Sequence, residues 1–127
     1  MGDYHEPESE LSAHARNLHR ALTSFKEEIE AIDWYNQRVE LCTDEALKKV
    51  LAHNRDEEIE HASMTLEWLR RNMPKWDEAL RTYLFTEGSI TEIEEKKEAD
   101  EVQGGSGRPG AAVARGDLGI GSQRRPR

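Results

Sequence analysis

The first third of the chain carries an apolar seam whose members recur at alternating steps of four and three residues. The seam consists of Leu11, Ala15, Leu18, Leu22, Phe25, Ile29 and Ile32. This spacing places every member on one face of a helix and is typical of a helix that packs along another helix. Because neither Gly nor Pro occurs between Glu8 and Val39, we predict one continuous helix over about residues 9–40.

A second helix is predicted after a short polar break. Either Thr43 or Asp44 can cap this helix, which we expect to run to about Arg71. A connection this short forces the two helices into an antiparallel hairpin. Each helix then buries one stripe on the other and leaves a second surface uncovered. We therefore expect two hairpins to dimerise into a four-helix bundle, which makes the fold class all-α.

Further helical segments follow the hairpin. Pro74 can begin a third helix, and Gly88 is expected to end it. The pattern Ser89-x-x-Glu92 resembles a capping box and predicts a short acidic helix to about Asp100. The fold class is thus an antiparallel two-helix hairpin with a C-terminal helical part.

The composition changes near residue 104 to Gly, Ala, Arg and Pro, which is typical of a flexible chain without a core. Residues 104–127 hold five arginines and one aspartate, a net charge of +4, whereas the whole chain has −8. We expect three segments, namely a disordered N-terminus over 1–8, a helical domain over 9–100 and a flexible tail over 101–127.

Composition and charge exclude several classes of protein. The acidic body disfavours nucleic acid and anionic membranes and attracts cations. The sequence contains no run of about 18 apolar residues, so it predicts no membrane span. The N-terminus also lacks the basic and then apolar pattern of a secretory signal. Cys42 is the only cysteine in the 127 residues, which fits a reducing cytoplasm.

The seam of the predicted second helix is apolar at its ends and polar in its middle. It consists of Leu47, Leu51, Asn54, Glu58, His61, Thr65 and Trp68. Burying a lone carboxylate costs several kcal/mol unless it is paired, protonated or bound to a metal. Glu58 and His61 also form Glu-x-x-His, a spacing that points both side chains the same way from one helix. They are candidate metal ligands, and a structural hydrogen-bonded pair facing a groove is the alternative.

Glu28 lies beside the first seam, between Phe25 and Ile32 on the helical wheel. A di-iron site in a helical bundle takes one Glu from each of two helices and Glu-x-x-His from each of two others. One hairpin supplies half of this set, and a two-fold symmetric dimer doubles it. Such oxygen-rich ligands with imidazole suit Fe(II), Mn or Zn. The alternative for Glu28 alone is a solvated helix residue.

Five stretches of the chain resemble the encapsulated ferritins, ferritin-like iron oxidases that are cargo of encapsulin nanocompartments. The resemblance covers roughly residues 10–95. The stretches are 20–22, 27–35, 53–61, 64–71 and 81–87, the last reading Arg-Thr-Tyr-Leu-Phe-Thr-Glu. The resemblance implies a half-ferritin helical domain that dimerises into a ferritin-like four-helix bundle. It also implies a ring-shaped homodecamer of five dimers rather than a closed cage.

The same resemblance implies roles for individual residues. Glu28, Glu58 and His61 correspond to the ferroxidase ligands at the two-fold interface between subunits. Glu27 and Glu30 correspond to an acidic metal site through which iron reaches that centre. Plain surface charge is the alternative for these two glutamates.

Two aromatic residues complete the implied site. Trp34 and Tyr35 correspond to side chains packed beside the centre, and Tyr35 is a candidate donor to a metal ligand. Packing in a core or an interface is the alternative for Trp34.

The tail resembles the encapsulin-targeting peptide of the family. Residues 117–125 read Asp-Leu-Gly-Ile-Gly-Ser-Gln-Arg-Arg, with Leu118 and Ile120 as apolar anchors. Gln123 stands where the family usually has a leucine. The loss of one buried leucine would make the free energy of docking to the shell less favourable by about 1–3 kcal/mol.

The sequence and the resemblance together predict a ferroxidase. It would oxidise Fe(II) with dioxygen at an inter-subunit di-iron centre, in the cytoplasm and inside an encapsulin nanocompartment that stores the mineral. The alternative is a non-catalytic iron-binding or structural helical cargo module of the shell.

Overall fold

The computed structural model describes residues 4–105, and all regular structure in that range is helical. A short 3-10 helix at Glu8–Glu10 precedes α1 (Ala13–Leu41), α2 (Glu45–Asn72), α3 (Pro74–Tyr83) and α4 (Ile90–Gly105). The prediction of an all-α chain is confirmed. None of the helices in the described range is long and apolar enough to span a lipid bilayer.

The start of α1 differs from the sequence prediction. The helix begins at Ala13 rather than near residue 9, because Ser12 is extended and its hydroxyl accepts a 3.0 Å hydrogen bond from the amide of Ala15. Arg16 links this start to the preceding turn, since its guanidinium donates to the carbonyls of Leu11 and Glu8. An N-cap side chain satisfies one of the free amides of the first turn. Leu11, the first member of the predicted seam, is extended and lies outside α1.

α1 and α2 form the predicted antiparallel hairpin. Asp44 caps α2, since its Oδ1 accepts a 2.9 Å hydrogen bond from the amide of Leu47. The order of the cross-helix contacts shows the antiparallel direction. Asn36 near the connection contacts Arg55, and Glu28 farther back along α1 contacts Thr65 farther forward along α2.

The chain divides into two compact units, one up to Leu69 and one from Arg70 onward. In the first unit, Ala62 and Leu69 are buried. Many large apolar side chains of this unit remain more than a third exposed. They are Leu22, Ile29, Trp34, Leu41, Leu47, Val50, Ile59, Met64 and Trp68. The hairpin therefore keeps much of its apolar surface in contact with solvent.

The second unit is organised around a buried carboxylate. Asp77 on α3 is 5% exposed and accepts hydrogen bonds from the guanidinium groups of Arg70 and Arg81. The link between α3 and α4 is ionic, with Lys97 Nζ 3.4 Å from Glu78 Oε2. Charge pairing thus holds together the parts of this unit that have few buried apolar groups.

The connection between α3 and α4 contains two residues in the left-handed region of backbone space. Phe85 has a φ of +60° and Gly88 a φ of +91°. Because α3 already ends at Tyr83, Gly88 lies within the connection instead of ending the helix as predicted. Ser89 Oγ accepts a hydrogen bond from the amide of Glu92 at 3.3 Å, as the capping pattern predicts. α4 then continues beyond Asp100 to Gly105.

Candidate metal centre

The Glu-x-x-His pair lies in the middle of α2, with both side chains on the same side of the helix. Glu58 Oε1 is 3.7 Å from His61 Nδ1, which is longer than a hydrogen bond. The side chain of Glu58 is 29% exposed and that of His61 is 45% exposed. Both groups therefore keep their lone pairs accessible, as metal ligands must.

Glu28 on α1 supplies the carboxylate with the most unusual surroundings. Its Oε1 is buried and has no hydrogen-bond partner among the described residues. Its Oε2 accepts a hydrogen bond from Thr65 Oγ1 at 3.4 Å. A buried carboxylate oxygen without a partner is costly, and a bound cation removes that cost. The surroundings of Glu28 thus fit a metal ligand.

Thr65 places Glu28 next to the part of α2 that carries the pair. The Thr65 hydroxyl lies 3.1 Å from the backbone carbonyl of His61, one helical turn earlier on α2. Glu28 is therefore close to the turn that holds His61. Within residues 4–105 of a single chain, however, no three His, Cys, Asp or Glu side chains form a group that could hold a metal ion.

The two other acidic candidates lie on the solvent side of α1. Glu27 and Glu30 are both exposed. They flank Glu28 in sequence, and Glu27 and Glu30 share a helix face at the i, i+3 spacing. This local charge attracts cations without requiring any particular geometry.

The two aromatic candidates differ in their surroundings. Trp34 is 50% exposed. Tyr35 is partly buried, and the guanidinium carbon of Arg38 lies 5.1 Å from the centre of its ring, within the range of a cation–π contact. The described contacts of Tyr35 are therefore with Arg38 and not with the candidate ligands.

Sequence reasoning missed Glu57 as a neighbour of the pair. Its Oε1 is 3.8 Å from His61 Nε2, and its Oε2 is 3.6 Å from His53 Nε2. The signal was present in the i, i+4 spacing of His53, Glu57 and His61. It was obscured because His53 and Glu57 lie beside the polar seam of α2 and are not members of it.

Sequence reasoning also missed the role of Thr65. The residue is part of the seam, but the seam indicates only that it faces α1. Its contact with Glu28 depends on the register of the two helices.

The Leu118 and Ile120 anchors lie outside the described residues.

The hairpin with its carboxylate and imidazole groups defines an all-α protein of the ferritin-like class. More specifically, the chain belongs to the EncFtn-like family, whose sequence model matches residues 3–87. The predicted resemblance is therefore confirmed at the level of the family.

Individual relatives agree with this assignment. The chain is 62% identical over 117 residues to a ferritin-like protein of Thermotoga maritima, covering 92% of this chain and 94% of the relative. It is 60% identical over 119 residues to an encapsulated ferritin-like protein of Rhodospirillum rubrum, covering 93% and 85%. The crystal structure of a Nitrosomonas europaea protein matches with a TM-score of 0.68 and 56% identity, covering 70% of this chain and 98% of that one.

Proposed function

We propose that this chain is a ferroxidase, which oxidises Fe(II) to Fe(III) with dioxygen at a di-iron centre shared between two subunits. The observation that carries the proposal is the buried Oε1 of Glu28, which has no hydrogen-bond partner among residues 4–105 and lies beside the helix that bears Glu58 and His61. A cation at Oε1 would supply the missing partner. Family membership supports an iron-related role.

The chemistry of the donors fits iron. Glu28 and Glu58 offer hard carboxylate oxygens and His61 an imidazole nitrogen, a set that suits Fe(II). When bound, two irons can each give one electron towards the reduction of dioxygen. The side chains bind the ions and offset their charge, and the half-buried position of Glu28 limits its contact with water.

A second copy of the chain would complete the ligand set. The exposed Leu22 and Ile29 lie seven residues apart and share one stripe of α1, so the hairpin has an apolar surface for a partner. A two-fold axis near Glu28 would provide each ligand twice. We include a ring of such dimers, the homodecamer, in this proposal.

The acidic and aromatic neighbours have supporting roles in the proposal. The exposed Glu27 and Glu30 attract Fe(II) and deliver it to the centre. Trp34 and Tyr35 pack beside the centre when the second copy is in place, which would cover the exposed half of Trp34.

The ferroxidase proposal is tested by anaerobic loading with Fe(II), exposure to air and recording of near-UV absorbance. Replacing His61 or Glu58 by Ala should slow the initial oxidation at least about tenfold, since each change removes a ligand. His14→Ala is the matched control, because His14 is exposed on α1 at the far end from the connection. A wild-type initial rate in His61→Ala would overturn the di-iron assignment.

The same experiment separates the enzyme from the non-catalytic alternative. An iron-binding module would bind Fe(II) anaerobically but oxidise it no faster than buffer does. A structural cargo module would show neither binding nor oxidation.

The proposal includes delivery of iron as mineral within an encapsulin nanocompartment in the cytoplasm. The name of the Rhodospirillum rubrum relative states that it is encapsulated. We propose that Leu118 and Ile120 dock the chain to the shell protein. Deleting residues 117–127 should reduce co-purification with the shell and leave oxidation by the isolated protein unchanged. Equal loading of the shell with and without these residues would contradict the targeting role.

A further inference from the structure

Thr65 on α2 contacts two candidate ligand residues through a single oxygen. Its Oγ1 is 3.4 Å from Oε2 of Glu28 on α1 and 3.1 Å from the backbone oxygen of His61 on its own helix. Thr65 is therefore the described side chain that joins the carboxylate of α1 to the turn of α2 that carries His61.

The contact with His61 determines where the hydroxyl lies. A threonine in a helix divides between two χ1 rotamers, because its oxygen can approach the carbonyl four residues earlier. The 3.1 Å distance shows that Thr65 adopts this rotamer, and the same rotamer brings Oγ1 towards Glu28. The helix geometry thus presents the hydroxyl to the neighbouring helix.

The hydroxyl has one proton and two acceptors. The carbonyl of His61 lies within α2, where a helical carbonyl already accepts a backbone hydrogen bond. The carboxylate of Glu28 has no other described partner, and an ionised acceptor forms a stronger hydrogen bond. The better use of the proton is therefore the bond to Glu28 Oε2.

We propose that Thr65 is a positioning residue for Glu28. The terminal torsion angle of a glutamate has a broad distribution, so an unrestrained carboxylate adopts many orientations. By binding Oε2, the Thr65 hydroxyl selects one orientation and leaves the buried Oε1 as the atom available to a cation. This inference rests on the proposed function, because it concerns the same metal site.

The surroundings of Thr65 allow this role to be tested cleanly. Thr65 lines an open groove of about 540 Å³ together with residues of both helices. The groove is lined also by Asn17, Arg20, Ala21, Ser24, Met64 and Trp68. Thr65→Val removes the hydroxyl while keeping the side-chain volume, and Thr65→Ser keeps the hydroxyl and removes the methyl group. Neither change has to displace a tightly packed neighbour.

Ser63 offers a matched control on the same helix. Its Oγ donates to the carbonyl of Ile59 at 2.8 Å, so it lies beside the carbonyl four positions earlier, as Thr65 Oγ1 lies beside that of His61. Ser63 has no described contact with Glu28. Ser63→Ala therefore measures the loss of this helical contact alone.

The experiment uses the full-length apo protein under anaerobic conditions and needs no turnover. Zn(II) affinity is measured by competition with a chromophoric chelator, and the Co(II) absorption spectrum reports the geometry of the ligands. Thr65→Val should weaken Zn(II) binding roughly tenfold. This is the lower end of the loss in metal affinity that follows when a hydrogen-bond partner of a ligand is removed, because the 3.4 Å contact is long. Its Co(II) spectrum should also change, whereas Thr65→Ser and Ser63→Ala should match the wild type.

The outcomes separate this inference from the proposed function. If Glu28→Ala binds Zn(II) as tightly as the wild type, both are overturned. If Glu28→Ala loses affinity but Thr65→Val keeps the wild-type affinity and spectrum, only the positioning role is wrong. An equal loss in Ser63→Ala would also overturn the positioning role. Thr65→Ala serves the same comparison if Thr65→Val does not fold, as judged by circular dichroism.

Discussion

The guanidinium of Arg55 on α2 donates a 3.0 Å hydrogen bond to the side-chain oxygen of Asn36 on α1. This bond crosses the hairpin between the connection and the candidate metal centre. The side chain of Arg55 is 27% exposed, so solvent competes only in part for the contact. The pair therefore helps to determine the register in which Glu28 meets Thr65.

We predict that Asn36 and Arg55 are energetically coupled. Each of Asn36→Ala and Arg55→Leu should lower the free energy of unfolding by about 1 kcal/mol, the usual net value of such a hydrogen bond. The double variant should lose less than the sum of the two, since the second change removes a bond that is already broken. Urea unfolding of the four proteins measures this difference. Strict additivity would show that the contact does not stabilise the hairpin.

Asp77 should be one of the most sensitive positions in the second unit. Asp77→Ala removes the buried carboxylate that contacts both Arg70 and Arg81, and removing one member of a buried ion pair costs about 3–5 kcal/mol. The expected result is a large decrease in the thermal midpoint, measured by circular dichroism.

Asp56→Asn is the control for Asp77. Asp56 also contacts an arginine, with Oδ1 3.1 Å from Arg55 Nε, but its side chain is 65% exposed. Its replacement should change stability by less than about 1 kcal/mol. Similar effects at the two positions would contradict the importance of burial at Asp77.

Acid should weaken the link between α3 and α4. The hydrogen bond from Lys75, reinforced by Lys97, lowers the pKa of Glu78 from its ordinary value of 4.5. A carboxyl with a lowered pKa stabilises the folded state above its unfolded pKa and loses that effect as the pH falls through the folded value. Glu78→Gln should therefore destabilise the protein slightly at pH 7, and the difference should disappear below the folded pKa.

Thermal unfolding at several pH values measures the effect of Glu78. Glu94→Gln is the control, because it removes the same charge from an exposed position on α4 that makes no ion pair within residues 4–105. The hydrogen bonds to Glu101 and Glu78 raise the pKa of Lys97 above its ordinary value of 10.5, so the link should be fully present below pH 10.5 and be lost only as the pH rises through the raised pKa. A difference between Glu78→Gln and wild type that persists undiminished at pH 2 would contradict this account.

Glu30 should affect the delivery of iron more than its binding. Glu30→Ala should slow oxidation at low Fe(II) concentration and leave the final metal count unchanged, because Glu30 is an exposed charge that the proposal assigns to iron delivery. Stopped-flow absorbance over a range of Fe(II) concentrations measures this. Glu40→Ala removes an equivalent exposed charge from the last turn of α1 and should oxidise iron at the wild-type rate. An unchanged rate in Glu30→Ala would assign Glu30 to ordinary surface charge.

Metal binding and subunit association should be thermodynamically linked. If each chain supplies half of the ligands, metal binds the associated state better and shifts the equilibrium towards it. In such a shared site, repulsion among the carboxylates of Glu28 and Glu58 would oppose association until a cation is bound. We therefore expect Fe(II), or Zn(II) as a redox-inert substitute, to convert small species into larger assemblies.

Light scattering across protein concentration, with and without Zn(II), measures this linkage. Glu28→Ala should show a much smaller effect of metal on size, and the specific activity of the wild type should fall on dilution. Full specific activity in a verified monomer would show that a complete site exists within one chain.

The helices and the hairpin could be predicted because their signals are local. The spacing of the α1 seam and the cap at Asp44 depend only on residues close in sequence, and both appear in the structure. The start of α1 was predicted incorrectly. The apolar seam extends back to Leu11, but the hydrogen bond that Ser12 accepts makes Ser12 the N-cap, and the helix begins at Ala13. Periodicity reports which face is apolar, and capping decides where the helix begins.

The second unit contains a feature that helical periodicity does not predict, namely the burial of Asp77. Asp77 belongs to a charged stretch, and its sequence neighbours do not indicate burial. Its position becomes clear only when Arg70 from the end of α2 and Arg81 from the same helix meet its carboxylate. A buried charge is stable only with such partners, and their arrangement is a property of three dimensions.

The sequence by itself determined the helical class, the hairpin and the candidate ligands Glu58 and His61, because helical spacing alone places those two on one side of α2. Only the tertiary structure decided that Thr65 meets Glu28 and that Oε1 of Glu28 is buried without a described partner. The physical reason is that residues 37 positions apart come together through the register of two helices. That register follows from the packing of whole faces and from contacts such as Arg55 with Asn36.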